Sequence, residues 1–399
     1  MNEIKKKLWI VSELFYPDET STAYILTKIA NTLTLKYEVN VLCGHISYDK
    51  DKPQNKSSQK LSEDIKIFRT NISGNKNNIF SRSVYSSLLS SYFFFNLYKK
   101  IKQSDVILIV TNPPFLILLI SFLRRLKKNR LVVLVHDVFP ENLIAMGFFK
   151  STKNLFYILL KSVIDWSYNQ TDTLIVLGDD MKEVITSKTK NNKKILVEVV
   201  RNWAETNLVY PLNTNNYNNN KIRLLFAGNL GRFQGLKKLI LFISKIDNPN
   251  LDFIFAGSGS MKNEIQKIVE KMNLRNVYFK DTFLRKEQIE LFNQSEICLV
   301  TLIDDYYGLG VPSKSYNILA AGKPILFIGN KRSEIAEMIL KNGIGYVFSF
   351  EEEKLIIEFL NNLSLKDIDI FKSIGGKARR IAENEFSEEL ILKKYLEII

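Results

Sequence analysis

The sequence predicts two α/β domains, each built on a doubly wound parallel sheet. Short β-branched apolar runs alternate with helical patterns along the whole chain, which is typical of strands covered on both faces. The length of 399 residues also exceeds what a single hydrophobic core usually serves. An asparagine-rich stretch at 213–221 is the most loop-like part of the chain and separates two sets of runs. We therefore expect two Rossmann-like domains, at 1–204 and 205–383, facing each other across a cleft that binds the ligand.

The predicted strands follow one another with a turn signal and a helical pattern after most of them. The first set is Leu8–Val11, Val39–Leu42, Ile65–Phe68, Val106–Val110, Leu131–Val135, Leu174–Val176 and Ile195–Val200. The second set is Arg223–Ala227, Phe253–Ala256, Val277–Phe279, Ile297–Val300, Pro324–Ile328 and Gly345–Phe348. Ligands bind at the carboxyl ends of strands in such sheets, so polar residues that directly follow a strand are the first candidates for function.

Several classes of protein are excluded by composition. Cys43 and Cys298 are the only cysteines, which excludes a disulfide framework and a cysteine-rich zinc site. His45 and His136 are the only histidines, which excludes a multi-histidine metal centre. The apolar start of the chain is too short for a signal peptide. The apolar stretch 106–123 is interrupted by two prolines, so we expect no transmembrane helix.

The formal charge of +14 suggests an anionic partner. No nucleic-acid-binding motif accompanies it. Two basic segments carry aromatic or aliphatic residues, at Arg82–Lys102 and Phe122–Arg130, and this combination favours an anionic membrane surface. The alternative is that both are core-facing helices with a solvated basic side.

A glycine-rich turn follows the predicted strand that ends at Ala227. Gly228, Asn229, Arg232 and Gln234 lie in this turn, and a helix is predicted from about Leu236. Backbone N–H groups and the helix N-terminus could bind a phosphate there, although a tight turn alone would also require glycine. The turn at 257–260 lacks the third glycine of a dinucleotide motif and is interpreted as a plain turn.

The segment 304–324 carries the strongest candidate site. Its loop includes Gly310 and Val311, Ser313 is a suitable N-cap, and a short helix is predicted from about Lys314 to Ala321, with Gly322 as the residue after its end. Lys314 and Asn317 are three positions apart and share one helix face, so a lysine on a diphosphate and an amide on a ribose hydroxyl would fit. The alternative is a capped helix with a solvated lysine.

His136 follows a predicted strand directly, and Asp137 and Glu141 come soon after it. A histidine at a strand's carboxyl end, with carboxylates that could orient it, is a candidate for catalysis, whereas a lone histidine is more often structural. The loop at 16–23 links the first strand to the first helix. Its small hydroxyl residues either admit a ligand or cap the helix through Thr20 or Ser21.

An ordered series of short motifs resembles glycosyltransferase family 4, the retaining nucleotide-sugar-dependent enzymes with the GT-B fold. The series is Phe15-Tyr16-Pro17, Thr111-Asn112-Pro113-Pro114, His136 to Glu141, Val176 to Met181, Arg201-Asn202-Trp203, Phe226 to Asn229, Phe255 to Gly259 and Ala320 to Pro324. The His-Asp-x-x-Pro-Glu and Pro-Ser-Lys motifs are similar to a branch that builds bacterial surface polysaccharides, including N-acetyl-fucosamine transferases.

The resemblance implies a retaining transfer from a nucleoside-diphosphate sugar, with UDP as the expected nucleotide and no metal or other cofactor. His136 would contact the donor sugar. The acceptor would be a polyprenyl-diphosphate-linked saccharide of capsule or O-antigen synthesis, bound by the N-terminal domain at the inner face of the cell membrane. The protein is therefore expected to be cytoplasmic and peripheral on that membrane. The last helix, at about 384–399, would pack back on the N-terminal domain.

The chain departs from the family pattern at the donor site. The usual Glu-x7-Glu pair falls on Leu309 and Asn317, and the usual arginine and lysine of the glycine-rich loop fall on Asn229 and Gln234. Phosphate neutralisation is then expected from Lys314, Arg232 and backbone N–H groups, with Asn317 as a neutral ribose contact. Two other functions compete with the transferase: a nucleotide-sugar 2-epimerase of the same fold and a basic nucleic-acid-binding protein.

Overall fold

The computed structural model describes residues 5–46, 59–74, 79–190, 192–212 and 221–399. It divides into two compact units. Unit 1 comprises Met1–Arg201 and Leu392–Ile399, and unit 2 comprises Asn202–Ile391. Most of the asparagine-rich stretch on which the predicted linker rests lies outside the described residues.

Each of the thirteen predicted apolar runs forms a strand. In chain order the strands are β1 Lys7–Ser12, β2 Glu38–Cys43, β3 Lys66–Arg69, β4 Val106–Val110, β5 Arg130–Val135, β6 Thr173–Val176, β7 Leu196–Val199, β8 Ile222–Ala227, β9 Leu251–Ala256, β10 Val277–Lys280, β11 Ile297–Thr301, β12 Ile325–Ile328 and β13 Gly345–Phe348. The central strands β4, β8, β9 and β11 are buried along nearly their whole length, which explains why they read as continuous apolar runs.

Both sheets are parallel and doubly wound. The seven-stranded sheet of unit 1 has the order β3-β2-β1-β4-β5-β6-β7, and the six-stranded sheet of unit 2 has the order β10-β9-β8-β11-β12-β13. All the strand pairs described are parallel. The strand order reverses direction beside β1 in unit 1 and beside β8 in unit 2, which are the switch points where such sheets bind ligands. The predicted fold class of two doubly wound parallel-sheet domains is confirmed.

Helices connect most of these strands. They are α1 Ser21–Leu33, α2 Ile79–Lys100, α3 Leu116–Lys127, α4 Glu141–Ala145, α5 Leu155–Tyr168, α6 Asp179–Lys188, α7 Leu236–Ile243, α8 Lys262–Lys271, α9 Gln288–Asn293, α10 Lys314–Ala320, α11 Glu334–Asn342, α12 Glu353–Asn362, α13 Ile368–Asn384 and α14 Glu388–Ile398. No helix among the described residues is long and apolar enough to span a membrane.

The end of the chain belongs to unit 1. The hydroxyl of Tyr37 donates to the main-chain oxygen of Ile399 at 2.5 Å, and the guanidinium of Arg130 donates to the main-chain oxygens of Ile398 and Ile399 at 2.6 and 2.7 Å. These bonds join residues more than 260 positions apart in sequence. Unit 1 is therefore built from two separate parts of the chain.

Cys43 and Cys298 are both buried and unpaired. They lie in β2 and β11, in different units. Burial raises the pKa of each thiol to about 11, so both remain protonated at neutral pH. Both cysteines therefore behave as small core residues.

Candidate functional site

The glycine-rich turn after β8 has the backbone that its glycines predict. Gly228 has a φ of +126°, and Gly235 has a φ of +60° at the residue before α7. A short 3-10 turn at Arg232–Gln234 lies between them, and α7 begins at the predicted residue. Residues with a side chain rarely adopt the conformation of Gly228, and a Cβ atom on Gly235 would lie 2.6 Å from the ring of Phe350, so both positions require glycine.

The second glycine turn, after β9, packs directly against the first. The N–H groups of Gly228 and Leu230 donate to the carbonyls of Ala256 and Ser258 at 2.9 and 2.8 Å. A Cβ atom on Gly257 would lie only 2.0 Å from the carbonyl oxygen of Gly228. The turn after β9, interpreted from sequence as a plain turn, therefore shapes the predicted phosphate loop and occupies two of its N–H donors.

Lys314 places its ammonium at the carboxyl end of β8. Its Nζ atom lies 3.4 Å from the ring centroid of Phe226, and its Cδ atom lies 3.7 Å from the position of a Cβ on Gly228. Within the described part of the chain, Lys314 has no ion pair. Burial lowers the pKa of its ammonium to about 7. A cation held against an aromatic face, without a carboxylate partner, is chemically suited to an anionic ligand.

The residues around Lys314 correct one prediction. Ser313 directly precedes α10, but its φ of −58° and ψ of −26° are helical and its side chain accepts no bond from the helix, so the predicted N-cap is wrong. The other end of α10 follows the prediction, since Gly322 adopts a φ of +64° just after it. In the preceding loop, Gly310 is buried and Val311 is half-buried.

Asn317 is on α10, but both ends of its amide bind other protein groups. Its Oδ1 accepts from the N–H of Glu205 at 3.1 Å, and its Nδ2 donates to Oε1 of Gln288 at 2.9 Å. The side chain is buried. The structure therefore gives Asn317 a role inside unit 2, and a ribose contact would require exchange of these bonds.

The other predicted donor-binding side chains lie in the turn after β8. Asn229 and Arg232 are exposed. Gln234 is half-buried, and its Oε1 atom is buried without a hydrogen-bond partner among the described residues. Three polar side chains are thus available around the loop that holds Gly228.

The sequence interpretation missed a polar pair after β12. Ser333 and Glu334 begin α11, and both are buried. An acidic residue in a helix's first turn is so common as a dipole partner that it carries little signal for function. Only their position at a strand's carboxyl end in the fold marks them as candidates.

In unit 1 the structure brings together residues that follow three adjacent strands, β1, β4 and β5. The Nδ1 atom of His136 lies 3.5 Å from Oγ1 of Thr22, in the first turn of α1. Thr111 follows β4, and its Oγ1 accepts from the N–H groups of His136 and Asp137 at 3.1 and 3.2 Å. Thr20 caps α1 by accepting from the N–H of Ala23 at 3.3 Å. The hydroxyl-rich loop thus both caps a helix and lies against the histidine.

His136 is neutral at pH 7. Burial lowers its pKa to about 4. Its Nε2 atom is buried, and no described residue forms a hydrogen bond with it. His136 can therefore offer a hydrogen bond to a ligand, but not a positive charge.

Glu141 is held in a cluster of ion pairs. Lys188 contacts Glu141 at 2.7 Å and Asp165 at 2.5 Å, while Lys161 contacts the same two carboxylates at 2.6 and 2.7 Å. Opposite charges lower the pKa of Glu141 despite its burial. No hydrogen bond joins Glu141 to His136 among the described residues, so the structure places Glu141 where it connects α4, α5 and α6. Asp137 is exposed.

No group of three or more His, Cys, Asp or Glu side chains is arranged to hold a metal ion in the described parts of the chain.

Part of unit 2 is similar to a known protein family. Residues 213–384 match the family model described as glycosyl transferases group 1. The turn after β8 and the lysine of α10 both lie within the matched residues.

The rest of the chain is also similar to known glycosyltransferases. The chain is 28% identical to the probable glycosyltransferase WbjE of Pseudomonas aeruginosa over 398 residues, which covers 98% of this chain and 96% of WbjE. The structure of WaaG, a glycosyltransferase involved in lipopolysaccharide biosynthesis, matches with a TM-score of 0.70 at 14% identity, over 98% of this chain and 99% of WaaG.

A third match is HepE of Anabaena, solved in complex with UDP. Its TM-score is 0.68 at 14% identity, and 98% of each chain is covered. At this identity the two structures establish the shared GT-B fold alone. The GT-B part of the family resemblance is confirmed, and the particular branch stays a prediction.

Proposed function

We propose that the protein is a retaining glycosyltransferase of bacterial surface-polysaccharide synthesis. It takes a sugar from a nucleoside-diphosphate sugar, with UDP as the nucleotide and an N-acetylated amino or deoxy sugar as a candidate donor group. It transfers this sugar to a polyprenyl-diphosphate-linked saccharide. The match of residues 213–384 to the glycosyl transferases group 1 model supports the reaction class, and the names of WbjE and WaaG support the biosynthetic setting.

The observation that carries the proposal is the position of Lys314. Its ammonium lies at the carboxyl end of β8, at the strand order's switch point, beside the glycine that opens the phosphate loop. A diphosphate would supply the anion that this cation lacks within the described residues. Arg232 and Gln234 would add donors from the loop. A fixed cation of this kind stabilises the negative charge that develops on the leaving diphosphate.

Binding of UDP tests this assignment directly. We expect saturable UDP binding by calorimetry, unaffected by excess duplex DNA. Lys314→Met should weaken UDP binding about tenfold or more, because it removes one charge-assisted contact. Lys237→Met is the matched control, since this exposed lysine of α7 lies in the same unit and forms a surface ion pair with Glu264.

The outcomes of the titration are distinct. Absence of UDP binding, or equal effects of Lys314→Met and Lys237→Met, would refute the donor site. Binding that DNA displaces would instead support the nucleic-acid alternative. Release of UDP from a UDP-sugar together with an acceptor product would separate the transferase from a 2-epimerase.

We assign the sugar-binding role in unit 1 to His136. The neutral imidazole, oriented by Thr22 and by backbone bonds to Thr111, has a free Nε2 within the described residues for a sugar hydroxyl. Retention would then proceed with the departing phosphate oxygen accepting the proton of the acceptor hydroxyl. The anomeric configuration of the product, read by nuclear magnetic resonance, tests retention, and an inverted product would contradict it.

The lipid-linked acceptor implies a membrane-facing surface, and unit 1 offers apolar side chains for it. On α5, Leu155, Phe156 and Leu159 are 82%, 66% and 62% exposed. Exposed Lys150 and Lys153 precede this helix. Helix α3 packs beside α5 through the ring contact between Phe122 and Trp166, and it adds exposed Leu126. Exposed apolar groups flanked by lysines are typical of proteins that bind an anionic membrane from its cytoplasmic side.

Flotation with phosphatidylglycerol vesicles tests this surface. The triple variant Leu155→Ser, Phe156→Ser, Leu159→Ser should lose at least about tenfold in vesicle affinity, because each side chain contributes about 1.5 kcal/mol or more when it enters lipid. The matched control replaces Leu340, Leu355 and Ile370 of unit 2, which are 60%, 49% and 52% exposed. Equal loss in both triple variants would contradict the assignment of the membrane surface to unit 1.

A further inference from the structure

A second group of cations lies at the opposite edge of the unit 1 sheet, where strands begin. An open cavity of about 410 Å³ is lined by Arg124, Arg125, Lys128, Asn129, Arg130 and Asp172. Arg130 is the first residue of β5, whereas His136 follows its last residue. A six-residue strand spans about 20 Å, so this cavity is separate from the site around His136.

The charges that line the cavity are unbalanced. It contains four cationic side chains and one carboxylate. Arg124 forms a two-pronged ion pair with Asp172, in which Nε donates to Oδ2 at 2.9 Å. Arg130 donates to main-chain oxygens of Ile398 and Ile399. Arg125 and Lys128 have no ion pair or hydrogen bond from their side chains within the described parts of the chain.

The turn that carries these cations is held in one conformation. Lys128 ends α3 in the left-handed region, with a φ of 57° and its N–H donating to the carbonyl of Arg124 at 2.7 Å. Asn129 is buried, and its Nδ2 donates to the carbonyls of Lys102 and Asp105 at 2.5 and 3.1 Å. The backbone that carries the cations is therefore fixed beside the cavity, while the side chains of Arg125 and Lys128 are exposed and can turn toward an anion.

Helix stability explains only part of this cluster. Cations in the last turn of a helix interact favourably with its dipole, which accounts for Arg124 and Arg125. Lys128 lies beyond the end of α3, and Arg130 lies in a strand. Without an anion, these like charges repel one another across the cavity.

We propose that this cavity binds a phosphate group. Arg125 and Lys128 supply the free donors, and the Arg124–Asp172 pair forms one wall. A planar guanidinium and an ammonium together suit phosphate oxygens. The phosphate belongs either to a lipid headgroup, which the exposed Leu126 and Phe122 of α3 would accompany, or to a soluble phosphate compound.

Equilibrium dialysis with radiolabelled pyrophosphate at low ionic strength tests the site on the full-length chain. The double variant Arg125→Gln, Lys128→Asn removes both free charges, and asparagine tolerates the left-handed conformation at 128. We expect the number of bound pyrophosphates to fall by one relative to the unmodified protein, with at least about tenfold weaker binding at this site. This difference does not depend on UDP binding, so the two proposals fail separately.

The control double variant Lys60→Gln, Lys182→Gln removes two exposed charges from the same unit. Equal pyrophosphate binding by the two double variants would overturn the proposal. A second arm identifies the source of the phosphate. If pyrophosphate displaces the protein from phosphatidylglycerol vesicles but not from phosphatidylcholine vesicles, the site takes a lipid headgroup. If vesicle binding is unchanged while the pyrophosphate site is lost in the cavity variant, the site takes a soluble phosphate.

Discussion

Binding of UDP should become weaker as the pH rises from 7 to 9, because of Lys314. Burial lowers the pKa of this ammonium to about 7 in the free protein. A bound diphosphate favours the charged form, so the pKa of Lys314 rises in the complex. A group whose pKa is raised by binding makes its full contribution to the binding free energy below its pKa in the unliganded protein. This contribution decreases as the pH rises above that value.

The size of the effect follows from the free pKa. Lys314 is about half protonated at pH 7 and about 1% protonated at pH 9. If only the protonated form binds UDP, the binding free energy at pH 9 is weaker than at pH 7 by about 2.3 kcal/mol, which is about fiftyfold in the dissociation constant. Phosphate groups with a second pKa of about 6 are almost fully ionised across this range, so UDP itself contributes little to the change.

Calorimetric titrations with UDP at pH 7, 8 and 9 would measure this dependence. Lys314→Met keeps a long side chain but cannot be protonated, so its weaker UDP binding should be nearly constant over the same range. The reasoning fails if the unmodified protein binds UDP equally well at pH 7 and pH 9, or if Lys314→Met retains the same pH dependence.

Two further predictions concern stability and a third concerns UDP binding. The pKa of His136 is lowered to about 4 in the folded protein, so the histidine of the unfolded chain binds its proton at a higher pH than that of the folded chain. The free energy of unfolding of unit 1 should therefore decrease by about 2 kcal/mol between pH 7.5 and pH 5. His136→Gln should abolish this loss in urea unfolding followed by tryptophan fluorescence, and an unchanged pH slope would contradict it. Lys188→Met should lower the free energy of unfolding by about 3 kcal/mol, since it leaves the partly buried carboxylates of Glu141 and Asp165 with Lys161 as their remaining cation. A cost below about 1 kcal/mol would show that the cluster is well solvated. Gly257→Ala should weaken UDP binding, because its Cβ atom would lie 2.0 Å from the carbonyl oxygen of Gly228. Gly376→Ala is the control and should have less effect, because its Cβ atom would lie at an ordinary contact distance of 3.8 Å from Arg380.

The strands could be predicted because parallel sheets impose a local pattern. β4 begins and ends at the predicted residues, since a strand buried on both faces must be apolar along its whole length. β13 also matches its predicted bounds, although it is a partly buried strand at the edge of its sheet. The short helix that begins at Lys314 could also be predicted, because Gly322 and the proline that follows it mark the end of the helix.

The functional assignments were harder because partners distant in sequence decide them. Asn317 bonds to the backbone of Glu205, 112 positions away, and no local pattern predicts that bond. Glu141 is five residues from His136 in the chain, yet Lys188 on α6 holds its carboxylate. The apolar start of α5 gives the same pattern as a core helix, so its exposed face was visible only in the fold.

The return of the chain end to unit 1 affects the order in which the protein can fold during synthesis. Residues 1–201 leave the ribosome first, but unit 1 also contains the hydrogen bonds that Tyr37 and Arg130 make with Ile399. Unit 2 can complete its own sheet while unit 1 still lacks its last segment. The side chains of Tyr37 and Arg130 therefore lack these partners until translation has passed through the second unit.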